Sequence, residues 1–346
     1  MSKNVLIIRD FLMGKEKVQF ICDFLRQYDA RVQIVEESPG IDMGGFAQAF
    51  RLMEKQGPDA LPFNERVAGA MRGANIVLAM MSPVQTAAVN AAPQLEAVCL
   101  MRSGTENVDV ANAAARGIKV VCVPGRLSVP VSEFTVGLII AEMKNIVRGH
   151  NRVLEGNFDH KFPNARYSRN IHGSVVGLVG LGAVGGKVAR TLKAMGADIL
   201  VYDPYLPEEE IRRLDYTPCG LEELCAASDI ISVHFRLTPE TRGLIGEKQF
   251  RLMRPGCFFV NTARAGLVEE AALVDALRDR KIAGAALDVF HEEPLPKDHP
   301  FYTLDNVTLT SHMAGSCNDT FGITFDIMAG ALKRYFETGE WINAVC

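Results

Sequence analysis

An uncharged run, Val175-Val176-Gly177-Leu178-Val179, leads directly into Gly180-Leu181-Gly182-Ala183-Val184-Gly185, and helix-forming residues follow at Lys187-Val188-Ala189-Arg190. Few local structures accept that order. The apolar run reads as a strand buried on both faces of a parallel sheet. Gly180 permits a tight turn, Gly182 lets a ligand approach the backbone closely, and Gly185 lets the helix pack closely on the strand. The helix start then offers free N–H groups and a partial positive charge to a pyrophosphate. The next strand-like run ends at Val201-Tyr202-Asp203-Pro204. Asp203 stands where a carboxylate accepts hydrogen bonds from an adenosine ribose and repels a 2′-phosphate, so the expected cofactor is NAD rather than NADP.

The same alternation runs through the whole chain. Strand-like runs are expected at Asn4 to Ile8, Arg31 to Val35, Ile76 to Met80, Ala97 to Met101 and Lys119 to Val123. Helical periodicity lies between them at Lys17 to Tyr28, Val67 to Ala70, Thr86 to Ala91 and Val110 to Arg116. One long helix, apolar on most of its surface, is expected from near Val131 to about Val153, followed by an aromatic-dotted polar arm from Gly156 to His172. A second series has strands at Val175 to Val179, Asp198 to Tyr202, Ile230 to His234, Cys257 to Asn261, Ala283 to Leu287 and Val307 to Thr310. Alternating strands and helices imply parallel sheets covered on both faces. A final helix is expected at Phe321 to Thr338; crossing back to the first series, it would split that domain in sequence.

With 346 residues the chain suits about two domains of ~100–200 residues. Lys and Arg number 37 against 41 Asp and Glu, a net charge of −4, which leaves no basic footprint for nucleic acid or an anionic membrane. Its apolar runs, such as Val136 to Ala141, fall far short of the ~20 residues of a membrane span. The N-terminal run is broken by charge and is not expected to be a signal peptide. Eight cysteines occur with no C-x-x-C pair, which suits a reducing, cytoplasmic compartment, and no metal site is expected.

Three further segments place polar residues just after apolar runs, at the sheet edge where ligands of such folds sit. They are Val260-Asn261-Thr262-Ala263-Arg264, Leu287-Asp288-Val289-Phe290 with Glu293-Pro294, and Leu309-Thr310-Ser311-His312. Together with the glycine loop, and in this order, these motifs resemble the D-isomer-specific 2-hydroxyacid dehydrogenase family over nearly the whole chain, most strongly from about 95 to 320.

The resemblance implies two doubly wound α/β domains with a cleft between them. Residues 125–317 would form a Rossmann-type NAD domain, and 1–124 with 318–346 a split, flavodoxin-like substrate domain. It implies hydride transfer between NAD and C2 of a D-2-hydroxy acid or 2-keto acid. Histidine titrates near neutral pH, which suits His312 to general acid/base work. Glu293 is its implied partner, and the Arg264 fork suits the substrate carboxylate. Ser103 and Gly104, with Arg102, are the implied substrate-binding residues of the first domain. Implied cofactor contacts are Gly180, Gly182, Ala183, Val184, Asp203, His234, Arg236, Thr241, Thr262, Ala263, Asp288, His312 and Gly315. The partners expected are a small-molecule acid and a second copy of the chain in a homodimer.

Several residues depart from the family pattern. Arg236 replaces a common proline, Leu127 a common asparagine, and Met80-Met81-Ser82-Pro83 a basic segment of phosphoglycerate dehydrogenases. No regulatory domain is expected after Cys346. The substrate stays open among 3-phosphoglycerate, glyoxylate or glycerate, and a sugar-derived acid. Two other readings stay open as well. One is an NAD-sensing corepressor without activity. The other is a phosphonate or formate oxidation, the formate case being disfavoured because those enzymes carry Gln where Glu293 stands.

Overall fold

A computed structural model describes residues 2–38 and 40–346; Met1 and Pro39 lie outside it. The chain divides into two compact units, residues 1–126 with 318–346, and residues 127–317.

The first unit opens with β1 (Asn4–Arg9), α1 (Lys15–Arg26), β2 (Arg31–Glu36), α2 (Met43–Gln56), α3 (Glu65–Met71), β3 (Ile76–Ala79), α4 (Thr86–Asn90), β4 (Ala97–Leu100), α5 (Val110–Ala115) and β5 (Lys119–Val121). Its strands are all parallel, in the order β2-β1-β3-β4-β5, the doubly wound arrangement of flavodoxin-like sheets. Leu6, Ile8, Val77, Val98 and Val120 enter one core layer, while Val5, Ile7, Ile76, Leu78, Cys99 and Val121 enter the other. That strict alternation is why these strands carry no polar face. The sequence reading had no counterpart for α2, whose start is capped by Asp42 accepting from the Gly45 amide at 2.7 Å.

The second unit runs through α6 (Ser128–Met143), α7 (Ile146–Leu154), β6 (Val175–Val179), α8 (Gly185–Ala194), β7 (Asp198–Tyr202), α9 (Glu208–Arg213), β8 (Thr217–Pro218), α10 (Leu221–Ala227), β9 (Ile230–Val233), α11 (Glu247–Leu252), β10 (Phe258–Asn261), α12 (Glu270–Arg278), β11 (Gly284–Leu287) and β12 (Val307–Leu309). The parallel sheet has the order β12-β11-β10-β9-β6-β7-β8, the Rossmann order extended by one strand. After it α13 (Thr320–Thr338) returns to the first unit, where Phe325, Met328, Ala331 and Leu332 complete the layer lined by Val5 and Ile7.

The single long helix expected from Val131 to Val153 is instead two, and Asn145, left-handed at φ 55°, separates them. Asparagine tolerates that conformation better than most residues. The break has a use. Six residues apart on a straight helix, Glu142 and Arg148 would point about 120° away from each other. Here Arg148 Nη2 reaches Glu142 Oε1 at 2.9 Å, and Asn145 Oδ1 accepts from Arg148 Nη1 at 3.2 Å. Glu142 is fully buried and also accepts from Thr308 Oγ1 at 2.6 Å and Asn164 Nδ2 at 3.3 Å. Burial raises its carboxyl above the usual range, and the Arg148 guanidinium opposes that rise. Gly284 leaves room for this carboxylate, which a Cβ there would strike.

Candidate active site

In the seven-stranded sheet the chain order reverses between β6 and β9, which is where open α/β sheets bind ligands at their strand ends. The residues singled out from sequence follow six of those strands, the glycine loop after β6 and polar residues after the other five.

After β6, Gly180 takes φ 105°, and a Cβ there would lie 3.0 Å from Phe235 Cδ1. A Cβ on Gly185 would strike the Gly180 carbonyl, so the helix can begin this close to the strand only on glycine. Among the described residues nothing lies within 4 Å of a Cβ position on Gly182, so that face of the loop is open. The α8 ladder starts with Gly186 N–H on Gly182 O at 2.8 Å, so the amides of Ala183, Val184 and Gly185 precede it and point past the helix end. An anionic pyrophosphate fits this cradle. Asp203, after β7, accepts from the Leu181 amide at 2.8 Å and from the Tyr205 amide at 3.0 Å. Its carboxylate therefore fixes the glycine loop to the end of β7.

After β9 the ring Nε2 of His234 is enclosed with no hydrogen-bond partner among the described residues. Burial lowers this imidazole to about 4, so it is neutral at physiological pH. Arg236 is exposed. Thr241 Oγ1 donates to Arg236 O at 2.7 Å and accepts from Thr238 N at 2.8 Å, so its hydroxyl closes the 236–241 turn.

After β10, Asn261 shapes the loop that presents Arg264. Its Oδ1 accepts from Ala263 N and its Nδ2 donates to Arg264 O, both at 3.0 Å. The Arg264 side chain is exposed, with Nη1 on Ala263 O at 2.7 Å. Thr262 is buried, and its hydroxyl meets Thr135 Oγ1 of α6 at 2.6 Å.

After β11, Asp288 is fully buried and binds three groups of the loop that follows β12. Oδ1 accepts from Thr310 Oγ1 at 2.6 Å and Met313 N at 2.9 Å, and Oδ2 accepts from Ala314 N at 2.9 Å. The sequence reading made Asp288 a cofactor contact and missed this tethering. Between two of its anchor points stands His312, itself left-handed at φ 52°. Its Nδ1 lies 2.8 Å from Glu293 Oε2, and Glu293 Oε1 accepts from Phe290 N at 3.0 Å. His312 and Glu293 are thus brought together from 19 residues apart, and about half of the imidazole remains exposed. Arg264 makes no hydrogen bond to either of them among the described residues. Gly315 packs against Leu127, whose Cδ1 would lie 3.1 Å from a Cβ there.

The first unit has its own strand-end group. Arg102 follows β4 and is buried, Ser103 Oγ donates to Val123 O at 2.7 Å, and Gly104 faces the Glu106 carboxylate.

Comparison with known proteins follows the same lines. Residues 136–314 match the sequence model of the D-isomer specific 2-hydroxyacid dehydrogenase NAD binding domain. A glyoxylate reductase of Korarchaeum cryptofilum is 33% identical over 312 residues, which cover 90% of this chain and 93% of that protein. A D-3-phosphoglycerate dehydrogenase of Methanocaldococcus jannaschii is 38% identical over 248 residues, 71% of this chain but 46% of that protein. The chain thus spans about half the length of the phosphoglycerate dehydrogenases it matches. Among solved structures, the TT0316 protein of Thermus thermophilus aligns over 99% of this chain and 100% of its own, at 28% identity and a TM-score of 0.72. The NAD-complexed D-isomer specific 2-hydroxyacid dehydrogenase of Lactobacillus delbrueckii ssp. bulgaricus aligns over 99% of this chain and 100% of its own, at 22% identity and a TM-score of 0.79, and so shares the fold.

Proposed function

The chain belongs to the D-isomer specific 2-hydroxyacid dehydrogenase family, and on that premise we propose that it interconverts a D-2-hydroxy acid and its 2-keto acid with NAD as cofactor. The observation that carries the reading is the 2.8 Å contact between His312 Nδ1 and Glu293, in the same set of strand ends as the glycine cradle.

NAD, when bound, takes or supplies the hydride at the substrate's C2. The chain's own residues do the rest. His312 Nε2, the ring nitrogen that Glu293 leaves free, gives a proton to the C2 oxygen during reduction and takes it back during oxidation. Glu293 accepts from Nδ1–H and so fixes the tautomer and the ring plane. Arg264 offers its planar fork to the substrate carboxylate and polarises the C2 carbonyl. Asp288 acts through the loop as a positioning residue. In this reading Gly180, Gly182, Ala183 and Val184 hold the pyrophosphate and Asp203 the ribose, while His234, Arg236, Thr241, Thr262, Ala263 and Gly315 line the cofactor's path. Residues 127–317 serve as the cofactor domain, and the first unit binds substrate through Ser103, Gly104 and Arg102.

The protein is proposed to work in the cytoplasm as a homodimer. Exposed Ile146, Val153 and Leu154 of α7 and the nearby Phe158 form an apolar surface of the kind a second copy covers. No helix among the described residues is long and apolar enough to cross a membrane.

The test is NADH consumption, followed by absorbance, with glyoxylate, hydroxypyruvate, phosphohydroxypyruvate and sugar-derived 2-keto acids. Turnover of at least one, with NADH preferred to NADPH, is expected. Absence of turnover with the whole panel, in a protein that binds NADH, overturns the enzymatic reading and leaves the sensor.

A further inference from the structure

One helix touches the segments that carry both Arg264 and His312. Along α6, Thr135 and Glu142 are seven residues apart, about 20° short of two full turns, so they share one face. Both are fully buried. That face lies across β10, β11 and β12, and Leu138 and Ile139 share its core layer with Val260 and Ala286.

The spacing along the helix matches the spacing of the sheet. β10 and β12 flank β11, so at ~4.8 Å per strand they stand ~10 Å apart. Seven residues of helix rise by ~10.5 Å. Between the two outer strands, β11 offers only Gly284 and Ala286 to the helix, and a Cβ on Gly284 would strike Glu142 Oε1. Each polar residue of α6 thereby meets a hydroxyl that belongs to a different strand.

The first contact has a fixed direction. Thr135 Oγ1 stands 2.6 Å from Val131 O and 2.6 Å from Thr262 Oγ1. A carbonyl only accepts, so the one hydroxyl hydrogen of Thr135 goes to Val131, and Thr262 donates to Thr135. Thr262 is buried, follows β10 directly and stands two residues before Arg264. In the second contact Thr308 of β12, also buried, donates to Glu142 Oε2 at 2.6 Å, four residues before His312. Arg148 holds the carboxylate in turn, with Nη2 on Oε1 at 2.9 Å, and its Nε donates to Asp305 O at 2.6 Å, just before β12. Beyond His312, Gly315 packs on Leu127 at the start of α6. Apolar pairs of the same shape would fill these positions at little cost in stability. What the hydroxyls add is direction, which dispersion does not supply.

We propose that α6 braces the site: Thr135 and Glu142 are positioning residues that act through Thr262 and Thr308 and hold Arg264 and His312 at a fixed separation. The inference rests on the proposed dehydrogenase reading and deepens it. The two arms of the brace act on different quantities. Thr135 sets the Arg264 fork, hence the binding of the substrate carboxylate. Glu142 sets the imidazole, hence proton transfer.

The experiment compares wild type with Thr135→Val and Thr308→Val, and with Thr135→Ser and Thr308→Ser, which keep the hydroxyl. Its kinetic arm uses NADH and the 2-keto acid that wild type turns over fastest. Thr135→Val is expected to raise KM about fivefold or more with kcat nearly unchanged, and Thr308→Val to lower kcat about fivefold or more with KM nearly unchanged. Each serine variant should restore most of the loss. A second arm needs no turnover and follows amide hydrogen exchange of the cofactor-free protein over residues 263–268 and 312–316. Exchange should rise about fivefold or more in the first segment alone for Thr135→Val, and in the second alone for Thr308→Val. Thr135→Ala and Thr308→Ala replace a valine variant that does not fold. Equal effects of the two variants on kcat and on KM, or exchange that rises in both segments alike or in neither, overturn the brace. If no keto acid turns over, the dehydrogenase reading fails while the exchange arm still decides the brace.

Discussion

Glu293 Oε2 and His312 Nδ1 stand 2.8 Å apart, on loops that follow two adjacent parallel strands. Hydrogen bonds from Phe290 N to Glu293 and from the 310–314 loop to Asp288 hold the two loops, and the contact leaves Nε2 as the ring atom that can meet a substrate. Replacing His312 by Asn is expected to lower kcat by roughly 10²–10⁴, the usual worth of a positioned acid/base. Glu293→Gln should lower kcat by a smaller factor, because the ring loses its orientation and not its chemistry. NADH affinity, measured by fluorescence, should stay within about twofold in both, since neither change touches the glycine cradle. Wild-type kcat in His312→Asn would remove it from the mechanism.

Asp288 makes three hydrogen bonds to the loop that carries His312. Asp288→Asn keeps the volume but turns one acceptor oxygen into a donor facing either a backbone N–H or a hydroxyl. A cost of about 1–3 kcal/mol is expected from urea unfolding. Turnover should fall with KM for the keto acid nearly unchanged, because the loop displaces His312 rather than the substrate. A variant as active as wild type but equally destabilised would show that the tether serves stability alone.

His234 gives the protein an acid sensitivity with a definite sign. In the unfolded chain a histidine binds its proton near pH 6.5, whereas in the folded protein burial holds this one near 4. Between those values the unfolded state binds more protons, so stability falls as pH is lowered from about 6.5 to about 4. The loss amounts to at most about 3 kcal/mol. Urea midpoints of the cofactor-free protein should follow that slope, and His234→Gln should flatten it. An unchanged slope in the variant would place the acid sensitivity elsewhere.

The apolar surface of α7 and its following arm predicts the assembly. Leu154 is 73% exposed and Phe158 92% exposed, which is costly for an isolated chain. Light scattering at micromolar concentration should give the mass of a dimer for wild type and of a monomer for a Leu154→Glu, Phe158→Glu double variant. A monomeric wild type would contradict the assignment.

Most of this protein was legible along the chain wherever the physics is local. Short apolar-rich runs set between helical stretches read as buried parallel strands, so nearly every strand was found within a residue or two, β8 excepted. The glycines at 180 and 185 were legible because their backbone and contact demands exclude any other residue. Where a local pattern serves two structures, reading stopped. The apolar residues from 131 to 153 fit one helix as well as two, and the break at Asn145 goes with a tertiary contact, Arg148 on buried Glu142, that the local pattern does not show. Asp288 looked like a ligand contact because its tether partners, Thr310 and the amides of 313 and 314, lie across a strand pair. Residue type and spacing determined which strands, turns and candidate groups this chain possesses. Which charges face each other, and which buried donors lack an acceptor, was decided by tertiary packing, since Coulomb and hydrogen-bond energies depend on distances that sequence separation does not encode.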